Sequence, residues 1–304
     1  MRANIASAGV AVTYHRPMTE RLFVQLDDDA AGPDTTAPAG TMRAFPVAAP
    51  LRNHIASLLH YRETFAAGRE TVERVLPDGA VRLVFNLGDA PAANDGQGLA
   101  VEAIGASTMP ALVRLRGHVE GYSVALRPGA AAALLGMPAG EIAGSAVSLV
   151  DVWGSAGAEL LARLADAHDD ASRAALLADA FAHRLSRVKD PLHPAAAQAA
   201  RLIAASGGCR ALRDVAAAVN VGERRLQQIF HAHVGLSPRA WSRLARLHAC
   251  LRALRAQASP RWADVAADAG YYDQAHLANE FRALCGLTPS EYFGRASGSS
   301  NTAA

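Results

Sequence analysis

The chain has 304 residues, of which 51% are hydrophobic and 19% charged. That is long enough for two separate cores and too apolar for a disordered chain. The net charge of +2 is unevenly spread: residues 193–295 hold 13 arginines, no lysine and 7 acids, net +6, while the preceding 192 residues hold 17 basic and 21 acidic residues, net −4. A basic C-terminal third behind an acidic body assigns a polyanionic partner to the former.

In chain order, "IASAGVAV" behind Arg2 is too weakly apolar for a signal peptide. The next segments read as strands: "RLFVQL", "TMRAFPV", "AVRLVFNLG", "ALVRLRG" and "EGYSVALRPG" are short runs with partial apolar–polar alternation. Asp27, Asp28 and Asp29 form a solvated acidic loop. One helix is expected at "PLRNHIASLLHY", residues 50–61, where Leu51, Ile55, Leu58 and Leu59 share a helical face. "LPDG" at Leu76–Gly79 marks a turn, and "GDAPAANDGQG" a long polar loop. Residues 128–150 carry Glu141 as their one charge but hold two prolines and four glycines, so they read as loops with a short helix rather than a membrane span.

Beyond Pro128 the spacing turns helical, with Leu160, Leu161 and Leu164, then Leu176, Leu177, Phe181 and Leu185. "RVKDPLHP" at Arg187–Pro194 is the best linker, giving an N-terminal domain at 1–190, a helical domain at 194–295 and a flexible tail at 296–304. The helices expected after the linker are 194–206, 210–218, 222–234, 238–256, 261–268, 273–285 and 289–294. Ser237-Pro238 and Thr288-Pro289 each place an N-cap before a proline, Glu291 completes a capping box with Thr288, and Gly235 and Gly286 stand at left-handed C-caps. The fold class is therefore an α+β domain, strand-rich and then helical, followed by an all-α domain.

The helical part is written twice. "FHAHVGLSP" at Phe230 returns as "FRALCGLTP" at Phe281, Leu226 meets Leu277, and "DVAAAV" at Asp214 meets "DVAADAG" at Asp264 with a turn one residue longer. Each copy is a short helix, a tight turn and a longer helix, the helix-turn-helix plan. Ala216 and Ala266 are small where the two helices cross; Leu226, Ile229 and Phe230, and then Leu277, Phe281 and Leu284, form the core faces. The opposite faces carry Arg224, Arg225, Gln227, Gln228 and His231 in the first copy, and Gln274, Ala275, His276, Asn279 and Arg282 in the second. Arginine, glutamine and asparagine match guanine and adenine edges in the major groove. "PRAWSRLARLHACLRALRAQ" joins the copies as one long helix with Trp241, Leu244, Leu247, Leu251 and Leu254 inward. Such a spacer suits successive major-groove faces about 34 Å apart.

With Gly270-Tyr271, "DQAHL", Phe281 and "GLTPSEY", residues 194–293 resemble the DNA-binding domain of the AraC/XylS-type transcriptional regulators. The resemblance implies a cytoplasmic regulator of duplex DNA. It puts the base-edge positions on Arg224, Gln227 and Gln228 and on Gln274, Ala275, His276 and Asn279. The sequence departs from the family pattern at Gly222 for the usual Ser or Thr cap, at Asn279 where Arg is common, and at Phe293 where Arg is usual. "VLPDGAVRLVFNLGD", "ALRPGAAAALLG" and "LVDVWG" resemble an uncharacterised N-terminal domain that accompanies some of these regulators, implying sensing or dimerisation.

Neither G-x-S-x-G, G-x-x-x-x-G-K-[ST] nor G-x-G-x-x-G occurs. His231 and His233 point to different sides of one helix, and His15, His54, His60, His118, His168 and His183 lack H-x-H spacing. Cys209, Cys250 and Cys285 contain no C-x-x-C, fit a reducing compartment and are expected as buried small hydrophobes. No catalytic residue, metal or cofactor is expected, and the chain reads as a one-component transcription factor rather than an enzyme. The expected partners are double-stranded DNA, a small-molecule effector, a second copy of the chain and, for an activator, RNA polymerase; no membrane is expected. The rival classes are an enzyme, or a ligand-binding protein, whose helical domain only targets it to DNA.

Overall fold

In the computed structural model, residues 20–26, 33–93, 97–189, 192–255 and 257–298 are described. The N-terminal apolar run, His15, Asp27–Asp29 and the tail beyond residue 298 lie outside them. The elements in order are β1 (Glu20–Val24), β2 (Asp34–Thr35), β3 (Met42–Phe45), a 3-10 turn at Ala49–Leu51, β4 (Ile55–Thr64), β5 (Glu70–Val75), β6 (Arg82–Asn86), β7 (Ala92–Ala93) and β8 (Gln97–Gly98). Then come β9 (Val101–Ile104), β10 (Ala111–Arg116), β11 (His118–Leu126), α1 (Ala131–Leu135), a 3-10 turn at Ala139–Ile142, β12 (Ala146–Ser148), α2 (Leu149–Trp153), α3 (Ser155–Asp166) and α4 (Asp170–Ser186). After the linker follow α5 (Pro194–Ala205), α6 (Leu212–Ala218), α7 (Glu223–Val234), α8 (Pro238–Arg255), α9 (Trp262–Asp268), α10 (Gln274–Cys285) and α11 (Pro289–Gly298).

The strands form two sheets, ordered β2-β1-β5-β10-β7-β8 and β12-β9-β6-β11-β4-β3. All pairings are antiparallel except β1 with β5, where Glu20 lies opposite Val72. Side chains alternate across each strand. Tyr61 and Glu63 of β4, Val84 and Asn86 of β6, Glu73 and Val75 of β5, and Val113 and Leu115 of β10 therefore point into the space between the sheets. The outer face of the second sheet is apolar and covered by helices: Phe85 packs on Trp153 and Phe181 at ring separations of 6.5 and 6.4 Å.

The helix expected over residues 50–61 is instead a short 3-10 turn and β4, a ten-residue strand. Ile55, Leu58 and Leu59 are spaced for a helix, but β4 lies between β3 and β11 and is covered on both faces, so its apolar residues need not alternate. His60 and Tyr122, opposite one another on β4 and β11, stack on the helix-facing side at 4.9 Å. β5, "ETVERV", is a second departure from the expected strands: its charged residues disguise a strand paired on both sides.

The helical third follows its local signals closely. Gly235 and Gly286 adopt φ +88° and +68° at the ends of α7 and α10, a region that costs L-residues with a Cβ. Ser237 Oγ accepts from Ala240 N–H at 3.1 Å. Thr288 N–H donates to Glu291 Oε2 at 2.7 Å and Glu291 N–H to Thr288 Oγ1 at 3.2 Å, closing the capping box. α11 continues to Gly298, beyond the end expected at residue 294. Cys250 and Cys285 are buried, but Cys209 is exposed, because it sits in the loop between α5 and α6 rather than on a core face.

The N-terminal and helical parts share an extensive contact. The Leu76–Gly79 turn is pressed onto α8, His248 Nε2 lies 3.0 Å from the Pro77 carbonyl, and Arg74 donates to the Cys285 carbonyl at 3.3 Å. Arg295 reaches Glu20 at 2.6 Å and Arg255 reaches Asp34 at 2.7 Å.

Candidate nucleic-acid interface and internal cavity

Each helix-turn-helix motif begins from a small crossing point. Ala216 and Ala266 are buried, and the turns that follow place Asn220 at φ +56° and Gly270 at φ +74°. The extra residue of the second turn is Tyr272, which is 92% exposed just ahead of the Asp273 cap of α10. The core faces hold as expected: Leu226, Ile229 and Phe230, and Leu277, Phe281 and Leu284, are all buried. α8 turns Trp241, Leu244, Leu247, Leu251 and Leu254 inward. Arg243 of α8 grips Glu280 of α10 with hydrogen bonds of 2.7 and 3.1 Å, so the spacer and the second long helix are braced together.

Arg224, Arg225, Gln227 and Gln228 of α7 and Gln274, Ala275, His276, Asn279 and Arg282 of α10 are all exposed. Arg225 Nη1 donates to Gln228 Oε1 at 3.4 Å, one helical turn away. His276 is partly engaged: its Nδ1 accepts from Tyr272 N–H at 3.3 Å, and its ring stands edge-on to Tyr271 at 5.4 Å. Asp273 caps α10 through a 2.7 Å bond from His276 N–H, whereas Gly222 offers α7 no side-chain cap. His231 is exposed like the rest of its face, and its ring also meets the N-terminal part. A Cβ at Gly140 would collide with its ring, so it faces the Ala139–Ile142 turn of the N-terminal part. Arg213 and Arg261, with side chains 79% and 85% exposed, flank the two motifs. Phe293, where the family pattern has Arg, packs edge-on against Trp262 at 6.3 Å. Tyr272 was missed in sequence because the second tyrosine of "GYYD" follows one that fits the core. The longer turn was its signal.

Between the sheets lies a cavity of about 650 Å³. Its walls are largely apolar, with Phe23, Val75, Val84, Ile104, Val113 and Leu115 among them. Glu73 projects into it, buried, with Oε1 lacking a hydrogen-bond partner among the described residues. Burial pushes the Glu73 carboxyl up to about 7, against the pull of Arg21 and with the push of Glu63. Tyr61 donates to Asn86 Oδ1 and is likewise pushed up by burial.

Folding brings His60, Glu120 and Asp170 together, with potential ligand atoms within 4.8 Å of one another, which spacing in the sequence did not show. Arg62 and Arg173 approach Glu120 at 2.6 and 2.7 Å and Asp170 at 3.1 and 3.5 Å. Two guanidiniums thus neutralise two carboxylates, leaving little field for a cation. Burial alone would raise Glu120, but hydrogen bonds from Arg62 and His118 hold it at about 2.

The buried Glu73 makes stability depend on pH. The folded state keeps this proton to higher pH than the unfolded chain, which releases it near 4.5. Its contribution is therefore full below pH 4.5 and is lost as pH rises through about 7. Glu73→Gln removes that loss. The stability of the variant relative to wild type is expected to grow by about 2 kcal/mol from pH 5 to pH 8 in urea titrations. A difference that stays constant with pH would mean that the carboxyl is not held neutral.

Residues 215–295 match the family described as a helix-turn-helix domain, and residues 43–148 match a domain of unknown function (DUF6597). No curated protein matches the chain. Among solved structures, ToxT from Vibrio cholerae is similar with a TM-score of 0.43 and 9% identity, over 78% of this chain and 97% of that one. ToxT from Vibrio cholerae O395 gives 0.43 and 10%, over 85% and 99%. Unsaturated fatty acid bound wild-type ToxT from Vibrio cholerae strain SCE256 gives 0.43 and 11%, over 79% and 95%. Likeness at that level carries no functional weight. The doubled motif and the family match in residues 215–295 do carry it: the C-terminal domain is an AraC-type helix-turn-helix domain, a DNA-binding module of transcription regulation, behind a domain of unknown function.

Proposed function

We propose that the chain is a one-component regulator that reads one operator with both motifs and responds to a small molecule held by residues 1–190. In this reading Arg224, Gln227 and Gln228 of α7 and Gln274, Ala275, His276 and Asn279 of α10 meet base edges. Arg225, Arg282, Arg213 and Arg261 meet phosphates. His231 is left to the contact with the Ala139–Ile142 turn. The observation that carries the reading is the exposure of two matching polar helix faces joined by one braced spacer, α8. The cavity between the sheets supports the sensing role. Its rims touch both long helices: Ala106, next to the lining residue Gly105, approaches Gly235, and Arg74, next to Glu73, holds the Cys285 carbonyl. A second copy of the chain, through residues 1–190, would double the number of half-sites engaged.

Gln228→Ala is expected to cost about 1–3 kcal/mol on the specific operator and little on random DNA, because an amide reading an adenine edge discriminates between sequences. Mobility-shift titrations of the full chain on both DNAs at several salt concentrations test this. Equal losses on the two DNAs would remove the base-reading role. Affinity should also fall steeply with salt as arginine–phosphate contacts release counterions. A response to salt with no preference for any operator would favour the targeting module over the regulator.

A further inference from the structure

We propose that the cavity between the two sheets takes a lipophilic amine, whose ammonium group pairs with the carboxylate of Glu73. The assignment rests on the effector reading above and on the charges that line the cavity. Two arginines and three glutamates line it: Arg62, Arg82, Glu63, Glu73 and Glu102. Both arginines are committed elsewhere. Arg82 pairs with Asp78 and also donates to Gln25 and Ser123 at 3.3 and 3.4 Å, while Arg62 bridges Glu120 and Asp170. Glu63 is held in a two-pronged pair by Arg21 at 2.6 and 2.8 Å.

That leaves Glu73 and Glu102 without an arginine ion pair among the described residues, although Arg21, paired with Glu63, still pulls on Glu73; Glu102 lies near Asp151, a further acid. Among the described residues the lining offers no uncommitted cation, and Glu73 and Glu102 turn into surplus negative charge once they ionise. An anionic ligand could be held only while Glu73 keeps its proton and would be repelled once the carboxylate forms, a costly arrangement in an apolar enclosure. A cationic head supplies the partner that Glu73 Oε1 lacks, and an apolar body covers Val84, Val113 and Leu115. A volume of about 650 Å³ lies within the range of small-molecule sites.

The position also explains how such a ligand would be felt. Glu73 and Arg74 are neighbours on β5 and point to opposite sides of the sheet. The first faces the cavity, and the second ties Glu20 at 2.5 Å to the carbonyl end of α10. A shift of β5 toward an ammonium group therefore moves the anchor of the second long helix.

The test uses the full chain and three probes of equal length, decylamine, decanol and decanoate, each at submillimolar concentration in calorimetric titrations. Wild type is expected to bind decylamine saturably and more tightly than decanol or decanoate. Glu73→Gln, which should fold at least as stably as wild type, is expected to weaken the amine about tenfold or more while leaving decanol nearly unchanged. Glu102→Gln is expected to have the smaller effect. Decanoate binding as tightly as decylamine, an amine affinity indifferent to Glu73→Gln, or no amine binding at all would each overturn the assignment. The effector reading fails separately: Val113→Trp pushes an indole into the cavity, and if this leaves operator affinity unchanged, the cavity is not coupled to DNA, whatever it binds.

Discussion

Phe230→Ala and Phe281→Ala should each remove about 3–5 kcal/mol of stability. The two rings are equivalent by repeat, and both are fully buried. Phe230 stands edge-on to Trp241 of the spacer at 6.4 Å, and Phe281 tilts against Tyr292 of α11 at 5.6 Å. Truncation leaves a void the size of a phenyl ring among side chains fixed by a close-packed core, which can only partly collapse. The cost has a functional side. Each ring packs its reading helix against the helix that follows, so operator affinity should fall together with stability. Chemical denaturation of the full chain measures the first effect, and a mobility-shift titration at a temperature where the variant remains folded measures the second. A midpoint that barely moves for either variant would mean that the ring is not the keystone of its motif.

Gly79→Ala is expected to cost about 2–4 kcal/mol although it lies far from the proposed reading faces. Gly79 sits at φ +76° in the turn pressed onto α8, and a left-handed alanine alone costs about 1–2 kcal/mol. A Cβ there would stand 2.7 Å from the Trp241 ring and 2.9 Å from Leu244, both buried, so the side chains of α8 would have to yield. Overpacking of this kind adds about 1–3 kcal/mol. The turn has little freedom to retreat. Leu76 N–H donates to the Phe23 carbonyl at 2.8 Å and Ala80 N–H to Asp78 Oδ1 at 2.9 Å. His248 must carry its proton on Nε2, since the Pro77 carbonyl facing it can only accept, and burial holds this histidine below its ordinary value. The expected result is a lowered denaturation midpoint and a changed operator affinity with every proposed reading residue intact. An unchanged midpoint would show that the turn slides over α8.

Amino-acid order by itself determined the C-terminal third, because its signals are local. Helical spacing at Leu226, Ile229 and Phe230, caps at Ser237 and Thr288, and glycines at 235 and 286 each act within a turn or two of chain, and the repeat states them twice. Tertiary structure alone decided the rest. Whether residues 55–64 are helix or strand depended on β3 and β11 and on what covers both faces, which helical spacing of three leucine-class residues does not reveal. β5 owes its place to β1 and β10, so "ETVERV" looks too charged for an inner strand until Glu73 is seen facing the cavity and Arg74 holding α10. His231 shares a helical face with Gln227 and Gln228 but is turned to Gly140 by a contact between residues 91 positions apart. The physical reason is the same in each case. Periodicity and capping are properties of neighbours in sequence, whereas burial, charge pairing and the two sides of a strand are set by chain that arrives from elsewhere.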